Sequence, residues 1–172
     1  MFGKSAASRA ATPEAAFRAL IRVYGLVRRV MDPYFSRHGI SGSQWGVLRA
    51  LHRAEKEGLR GLRLTDLSER LLVRPPSVTG VIDRLERLGL VARSASSTDL
   101  RSKRVSLTPT GRELMEGVLA GHAAQIRAVM GGLSVQEQGQ FLRLLERLGL
   151  HLESSMDREE SAVRDSGGDF TQ

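Results

Sequence analysis

The sequence predicts a mainly α-helical fold that carries one small β-hairpin, and three observations support this prediction. Apolar residues recur at helical spacing along most of the chain. Ser, Thr and Pro, which are typical of helix starts, precede these apolar stretches. The segment 93–107, RSASSTDLRSKRVSL, instead has a strand-like start and a strand-like return around a Ser-rich polar tip. Hydrophobic residues make up 41% of the 172 residues, which is enough to bury the core of one domain.

The first helix is predicted over residues 12–38. Thr12 can accept hydrogen bonds from the open N–H groups of the first turn, Pro13 fits that turn, and Glu14 favours the positive end of the helix dipole. Pro33 should kink or stop this helix, or begin a short second segment. The apolar residues at helical spacing are Phe17, Leu20, Ile21, Tyr24, Val27 and Val30.

A capping box predicts the start of the second helix. Ser41 is the cap and Gln44 occupies the third helical position, so the side chain of each can accept a hydrogen bond from the backbone N–H of the other. A short strand is predicted at residues 62–64. The residues of the second helix that should face inward are Trp45, Leu48 and Leu51.

Two short helices joined by a tight turn come next. Thr65 should cap the first of them over residues 66–72, and residues 73–74 form the turn. Two prolines at 75–76 fit the first turn of the second helix, where their missing N–H donors do little harm. That helix should run to about Leu88. Its inward face carries Val78, Ile82 and Leu85.

A β-hairpin follows this helix pair directly. Gly89 should end the second helix, and the segments LVARS and KRVSL should form the two strands. Two helices joined by a tight turn form a helix-turn-helix, and a hairpin placed immediately after it makes the unit winged. The sequence therefore predicts a winged helix-turn-helix lobe over residues 41–108.

Two further helices are predicted at 109–155. Thr108 and Pro109 begin the first, residues 131–132 break it, and a capping box at 134–137 begins the second. From residue 156 the chain is charged and poor in large apolar residues, so 156–172 is predicted to be a disordered acidic tail. The residues of the last helix that should face inward are Phe141, Leu144, Leu145, Leu148 and Leu152.

The charge of the chain is positive but unevenly spread. The formal net charge is +7. Residues 60–104 hold ten basic and five acidic residues, a net of +5, whereas residues 153–172 hold two basic and six acidic residues, a net of −4. A basic balance of this kind indicates an anionic partner, either nucleic acid or a membrane surface.

Several classes of site are excluded or disfavoured by composition. The chain has no cysteine, which excludes disulfides, thiolate zinc sites and thiol-based redox switching. It has no apolar run near 18 residues, and residues 1–11 are a small, polar, flexible tail without the apolar stretch of a signal peptide. A cytoplasmic protein that does not engage a membrane is the resulting expectation.

The helix-turn-helix and hairpin favour double-stranded DNA as the anionic partner. The second helix of such a pair enters the major groove, where Ser and Thr can bond bases or phosphates and Arg can bind guanine bidentately. The hairpin tip is narrow enough to follow a minor groove, whose negative potential attracts an inserted Arg. Asp99 stands two residues before Arg101 and could hold its guanidinium in one rotamer. The outer face of the helix shows Ser77, Thr79, Gly80, Asp83, Arg84 and Arg87.

Other classes of function have weaker support in the sequence than DNA binding. His52 and Glu55 are spaced i, i+3 and could share a metal, but two ligands make a weak site. No Gly-rich phosphate loop follows a strand, so no catalytic, cofactor or metal site is predicted. The basic residues alone could be a solvated surface, and a protein-interaction module would leave the charge pattern of the hairpin unexplained. The scattered histidines are His38, His52, His122 and His151.

The segment LTDLSERLLVRPPSVTGVIDRLERLGLVARSASSTDLRSKRVSLTPTG resembles the multiple antibiotic resistance regulator (MarR) family. The resemblance covers about residues 14–152 and includes ISGSQWGVLRAL near the second helix. The family pattern is a Thr-x-x-x-Asp-x-Leu run, Gly-Leu-Val, an Arg, a wing with Asp-x-Arg, and a closing Val-x-Leu-Thr-x-x-Gly. The matching residues are Thr79, Asp83, Leu85, Gly89, Leu90, Val91, Arg93, Asp99, Arg101, Val105, Leu107, Thr108 and Gly111.

The resemblance implies a homodimeric repressor of transcription. The N-terminal helix and the two C-terminal helices of each chain would interlock as a dimerisation region, and the two winged lobes would meet a pseudo-palindromic operator. Family members are often released by small aromatic anions, and an activator without a ligand response is the alternative within the family. The helices that line the family's ligand pocket carry Tyr24, Arg28, His38, Trp45 and Arg49 here.

The resemblance also implies DNA-binding roles for ten positions. Arg101 would enter the minor groove with Asp99 as its holder. The major groove would meet Ser77, Thr79 and Arg84, and the phosphate backbone would meet Arg74, Arg93, Lys103 and Arg104. Two positions depart from many relatives: Arg74 replaces a small capping residue, and Gly80 replaces an Arg. Both departures bear on which operator sequence is recognised more than on whether the protein binds DNA.

Overall fold

The structure is a computed structural model, and it describes residues 12–95 and 103–166. The described part divides into two compact units, one up to Ile126 and one from Arg127 onward. The elements are α1 (Pro13–Arg37), α2 (Gly42–Lys56), β1 (Leu62–Arg63), α3 (Leu64–Leu71), α4 (Pro75–Arg87), β2 (Val91–Ala95), β3 (Lys103–Leu107), α5 (Pro109–Met130) and α6 (Val135–Ser166). This is the predicted mainly helical winged helix-turn-helix fold, in which α3 and α4 form the helix pair.

The three strands form one antiparallel sheet in the order β1-β3-β2. Leu62 of β1 pairs with Val105 of β3. On the other side of β3, Val91 pairs with Leu107 and Ala95 pairs with Lys103, so β2 and β3 form the wing. The wing therefore belongs to the same sheet as β1, the strand that directly precedes the helix pair.

The core of the first unit includes the inward faces that the sequence predicts for α2 and α4. α4 packs on α2 and α3, and β2 packs against α4. The buried side chains include Leu48, Leu51, Leu67, Val78, Ile82, Leu85, Val91, Val105, Met115 and Val118, all at 2% exposure or less. These residues come from α4 and from five other helices and strands, of which α2, α3 and β2 pack directly on α4, so its orientation is fixed by burial.

The predicted helix caps at three sites are confirmed. Thr12 Oγ1 accepts from the backbone N–H of Ala15 at 3.2 Å. Ser41 and Gln44 make both bonds of a capping box, because each backbone N–H donates to the other side chain. Glu137 makes the equivalent pair with its cap residue at the start of α6. Local sequence thus decides where these helices begin.

Pro33 does not end the first helix, and both ends of α3 differ from the prediction. α1 continues through Pro33 to Arg37 as one helix, because packing buries its last turns and offsets the lost hydrogen bond. α3 begins at Leu64, so Thr65 is not the cap. Asp66 Oδ2 instead accepts from the backbone N–H of Arg63 at 2.9 Å, which starts the helix directly after β1. α3 also ends one residue early, since Leu72 has a left-handed backbone with φ of 52°.

The C-terminal part differs from the prediction in two respects. α6 extends to Ser166, so residues 156–166 are helical and the predicted disorder is wrong there; residues 167–172 lie outside the described part. Good helix formers such as Glu, Arg and Ala fill this stretch, and an existing helix extends at little cost. Leu144, Leu148 and Leu152 were predicted to face inward, yet they are 55%, 39% and 52% exposed in the single chain. Within the described residues, none of the helices is both long and apolar enough to span a membrane.

Two glycines of α5 provide a matched stability test. A Cβ on Gly111 would lie 2.0 Å from the carbonyl oxygen of Leu90, whereas a Cβ on Gly117 would meet nothing within 4 Å. We expect Gly111→Ala to destabilise the fold by several kcal/mol, since backbone must move. Gly117→Ala should stabilise it by about 0.5–1 kcal/mol, through helix propensity alone. Urea denaturation of both variants measures the difference; similar values for both would contradict the close packing of α5 on the chain before β2.

Candidate nucleic-acid interface

The outer face of α4 presents polar and basic side chains to solvent. Arg74 precedes the helix as its cap residue, and Arg74, Ser77 and Arg84 are exposed. Thr79 and Gly80 are half-buried. Thr79 Oγ1 donates to the carbonyl oxygen of Pro75 at 3.1 Å, so its hydroxyl can still accept a further bond. Ser77 and Arg84 therefore share the exposed side of α4, whereas Thr79 is half-buried on its flank.

Gly80 leaves open space in the middle of this surface. A Cβ built there meets nothing within 4 Å. A side chain at this position could therefore project from α4 without disturbing the fold. Its absence allows a partner to approach the backbone of the helix closely.

Two arginines of the wing strands, Arg93 and Arg104, donate hydrogen bonds to other groups of the protein. Arg93 Nη2 donates to Asp83 Oδ1 at 2.5 Å, and its Nη1 donates to Glu86. The hydrogen bond to Asp83, with the charges of both carboxylates, raises the pKa of Arg93 above its ordinary value. Arg104 Nη1 donates to the carbonyl oxygen of Gly61 at 3.0 Å and so ties β3 to the residue before β1.

The side chains of three wing residues that the sequence predicts to bind DNA lie outside the described part. Lys103 pairs with Ala95 through the backbone, but its side chain is outside the described part. Asp99 and Arg101 lie outside the described residues altogether. Their predicted roles at the minor groove stay predictions.

Sequence reasoning missed the partners of Arg93. Asp83 and Glu86 are spaced i, i+3 on α4, so they lie on one side of the helix. The tight reversal at Gly89, where φ is 68°, then brings β2 back along that side. Two acids near the end of a helix, a glycine stop and a following Arg form a signal that could have predicted this contact.

A second cluster lies where α1, α2 and α5 meet. Trp45 stacks on Phe35 with ring centroids 5.3 Å apart, and His122 lies 4.8 Å from the Trp45 ring. The hydroxyl of Tyr34 donates to the buried carbonyl oxygen of Val118, which pins α1 to α5. Burial, and to a lesser extent the charge of Arg49, lower the pKa of His122 below its ordinary value.

Only some of the residues predicted near a ligand pocket join this cluster. Arg49 lies over the Trp45 ring at 5.9 Å, and His38 packs on Tyr34 at 5.1 Å. Tyr24 is 62% exposed and Arg28 is exposed, so neither is buried with the cluster in the single chain. His122 was missed because it follows Trp45 by 77 positions and only the tertiary fold joins them.

Glu55, which the sequence offered with His52 as a weak candidate metal site, has an arginine partner in the structure. Both oxygens of Glu55 accept from Arg112 of α5, the shortest contact being 2.8 Å. Across residues 12–95 and 103–166, no group of three or more His, Asp or Glu side chains could hold a metal ion. Glu55 therefore has a structural role in joining α2 to α5.

Known proteins resemble this chain in both sequence and fold. A family model described as the MarR family matches residues 38–102. The HTH-type transcriptional repressor YetL of Bacillus subtilis is 32% identical over 129 residues, which are 75% of this chain and 75% of that protein. The transcriptional activatory protein BadR of Rhodopseudomonas palustris is 32% identical over 142 residues, 78% of each chain.

A solved structure adds a likeness of fold. The structure of Bordetella bronchiseptica BpsR, described as showing regulation of its DNA binding by 6-hydroxynicotinic acid, is 26% identical. It matches with a TM-score of 0.70 and covers 78% of this chain and 98% of that chain. The likeness therefore extends through almost the full length of that regulator.

The lowered pKa of His122 predicts a pH dependence of stability. The folded protein binds this proton more weakly than the unfolded chain, so stability is fully present above the unfolded pKa of about 6.5 and is lost as pH falls below it. His122→Gln should remove this contribution. Urea denaturation of both proteins between pH 7.5 and 5 measures it, with His151→Gln on α6 controlling for loss of a histidine. A constant difference between wild type and His122→Gln across that range would contradict the burial of this imidazole.

Proposed function

This chain belongs to the MarR family of DNA-binding transcriptional regulators, and we propose that it acts as a cytoplasmic homodimeric repressor that binds a pseudo-palindromic operator. We propose further that a small aromatic anion releases it from DNA. The proposed regulator acts by binding alone and catalyses no reaction.

The accessible face of α4 is the observation that carries this proposal. Arg74, Ser77 and Arg84 are exposed there, while Val78 and Ile82 on the opposite face are completely buried. An exposed Arg can bind guanine O6 and N7, and Ser can bond a base or a phosphate. We infer that α4 enters the major groove with its N-terminal half nearest the base edges.

The wing supplies the second contact with DNA. β2 and β3 extend the sheet toward the segment that contains Asp99 and Arg101. We propose that Arg101 enters the minor groove, where the potential is most negative, and that Asp99 orients it. Lys103 would bind the adjacent phosphate backbone.

The exposed apolar side chains of α1 support a homodimer. Phe17 is 64% exposed, Ile21 54%, Tyr24 62% and Val30 58%. Large apolar surfaces of this kind usually mark an interface. α6 by itself carries a comparable set, namely Leu142, Leu144, Leu145, Leu148 and Leu152. A two-fold dimer would place two α4 helices one turn of DNA apart, about 34 Å, which matches a palindromic operator.

The proposed ligand follows from a relative and from the aromatic cluster. BpsR, at 26% identity, is regulated by 6-hydroxynicotinic acid, an aromatic carboxylate. In this chain Arg49 lies against the Trp45 ring beside Phe35 and His122. An arginine next to aromatic rings suits an aromatic anion, since the rings stack and the guanidinium binds the carboxylate.

Activation of transcription is the second candidate. BadR, named as an activatory protein, is as similar in identity as YetL, which is named as a repressor. Both modes use the same DNA-binding surface, so the position of the operator relative to the promoter distinguishes them. A module that binds only proteins is the remaining alternative, and binding of duplex DNA at low salt decides against it.

The first prediction from this proposal concerns salt. Protein bound across two half-sites should neutralise about eight phosphates, so log K against log salt concentration should have a slope of about −7. Fluorescence anisotropy on a duplex selected from randomised DNA measures the slope. A flat slope would refute DNA binding through phosphates.

The second prediction concerns the dimer. Leu145→Glu should dissociate it, because a carboxylate would be buried without a partner at an apolar interface. Leu150→Glu is the matched control, since position 150 lies on the opposite side of α6 from Leu145, Leu148 and Leu152. Sedimentation should show monomers for the first variant and dimers for the second. An intact dimer of Leu145→Glu would place the interface elsewhere.

A further inference from the structure

The outer side of α4 carries two acids where a DNA-binding surface should carry none. The side chains of Asp83 and Glu86 are 51% and 39% exposed. Unpaired carboxylates on a helix in the major groove would repel the phosphates on both sides of it. Their presence on the helix proposed to read the operator therefore requires an explanation.

Arg93 supplies the explanation, because it holds both acids at once. One guanidinium nitrogen donates to Asp83 and another to Glu86, across 10 and 7 positions of sequence. Only 22% of the Arg93 side chain is exposed, less than either acid. A planar guanidinium with fixed donor directions suits two carboxylates on one helix better than a lysine would.

This contact joins the two parts of the proposed DNA-binding surface. Arg93 lies in the middle of β2, whose residues from Val91 to Ala95 all pair with β3. Asp83 and Glu86 lie on α4. Fixing the side chain of Arg93 on α4 therefore restricts the angle between the wing and the recognition helix.

The other arginines of this surface differ from Arg93. Arg74 and Arg84 are exposed, and the side chain of neither makes a hydrogen bond or ion pair with another described residue. A phosphate could bind either of them directly. At Arg93 a phosphate would have to displace two carboxylates that already occupy its donors.

We propose that Arg93 is a positioning residue for operator binding: it clamps the wing to the recognition helix through Asp83 and Glu86 and does not bind phosphate. This inference rests on the proposed function and gives Arg93 a different role from the phosphate contact that the resemblance implies. Helix and wing must fit adjacent grooves together. Because the clamp fixes them relative to each other before binding, less conformational entropy is lost when DNA binds.

The decisive variant is Asp83→Asn/Glu86→Gln. It makes each chain more positive by two charges and frees Arg93, so a phosphate-binding Arg93 would bind DNA more tightly. The clamp predicts the opposite, a loss of operator affinity of roughly three- to tenfold, as expected for two partly exposed ion pairs. The probe is a duplex selected by the wild-type protein from randomised DNA.

The matched control is Glu55→Gln/Glu57→Gln. It also removes two acids, and it frees Arg112 and Arg70 from ion pairs that lie outside the wing. Operator affinity of this control should equal or slightly exceed that of wild type. A loss equal to that of Asp83→Asn/Glu86→Gln would overturn the clamp, since the effect would then be independent of Arg93.

A mutant cycle tests whether Arg93 acts through the two acids. Arg93→Ala should weaken operator binding, and adding it to Asp83→Asn/Glu86→Gln should cause little further loss, because the clamp is already broken. Arg93→Lys, which retains one ion pair, should recover part of the affinity. If Arg93 bound phosphate, its removal from the double variant would lower affinity again and reduce the salt slope by about 1.

A spin label reports the geometry without relying on DNA. The chain has no cysteine, so Ser94→Cys at an exposed position of β2 gives a single labelling site next to Arg93. The nitroxide should become more mobile in Arg93→Ala, while circular dichroism shows an unchanged helix content. Unchanged mobility in a folded Arg93→Ala protein would overturn the clamp.

Failure of the clamp and failure of the proposed function give different results. If wild type binds no duplex at low salt, the proposed function itself fails. If wild type binds its selected duplex and Asp83→Asn/Glu86→Gln binds equally or more tightly, DNA binding stands and the clamp alone is wrong.

Discussion

Burial of one side of α4 is the constraint on which the rest of the structure depends. Val78, Ile82 and Leu85 are at most 1% exposed, and α2 and α3 pack against them. Because a helix repeats every 3.6 residues, burying this stripe fixes the rotation of α4 about its axis. The opposite stripe, with Ser77 and Arg84, must then face solvent. A hydrophobic contact that reads no DNA thus decides which side chains DNA can meet.

The corner after α4 transfers this orientation to the wing. Thr108 N–H donates to the carbonyl oxygen of Leu90 at 3.1 Å, and Thr108 Oγ1 donates to the carbonyl oxygen of Gly89 at 2.6 Å. The same oxygen of Thr108 accepts from the N–H of Gly111, at the start of α5. The backbone and side chain of one residue therefore link the turn after α4, the residue before β2 and the first turn of α5. Arg93 of β2 adds ion pairs to Asp83 and Glu86 of α4, so the helix and the wing are also joined by side chains on either side of this turn.

The positive charge of the central region is less uniform than its composition indicates. Residues 60–104 carry a net of +5, yet Arg93 is occupied by two acids and Arg70 by Glu57. Arg104 is directed to a backbone carbonyl. The basic residues thus divide into those that stabilise the lobe and those that remain accessible to a polyanion. Net charge predicts the class of partner, whereas ion-pair geometry decides which residues can touch it.

The sequence by itself determined the fold class, the order of the elements and most helix starts. These depend on local features, such as the caps at Thr12 and Ser41 and the apolar periodicity, that act over a few residues. Only the tertiary structure decided that Pro33 stays inside α1, that His122 meets Trp45, and that Arg93 binds α4. Each of these depends on packing between segments distant in the chain. Periodicity assigns a residue to a face, but the partner across that face is set by how the whole chain folds.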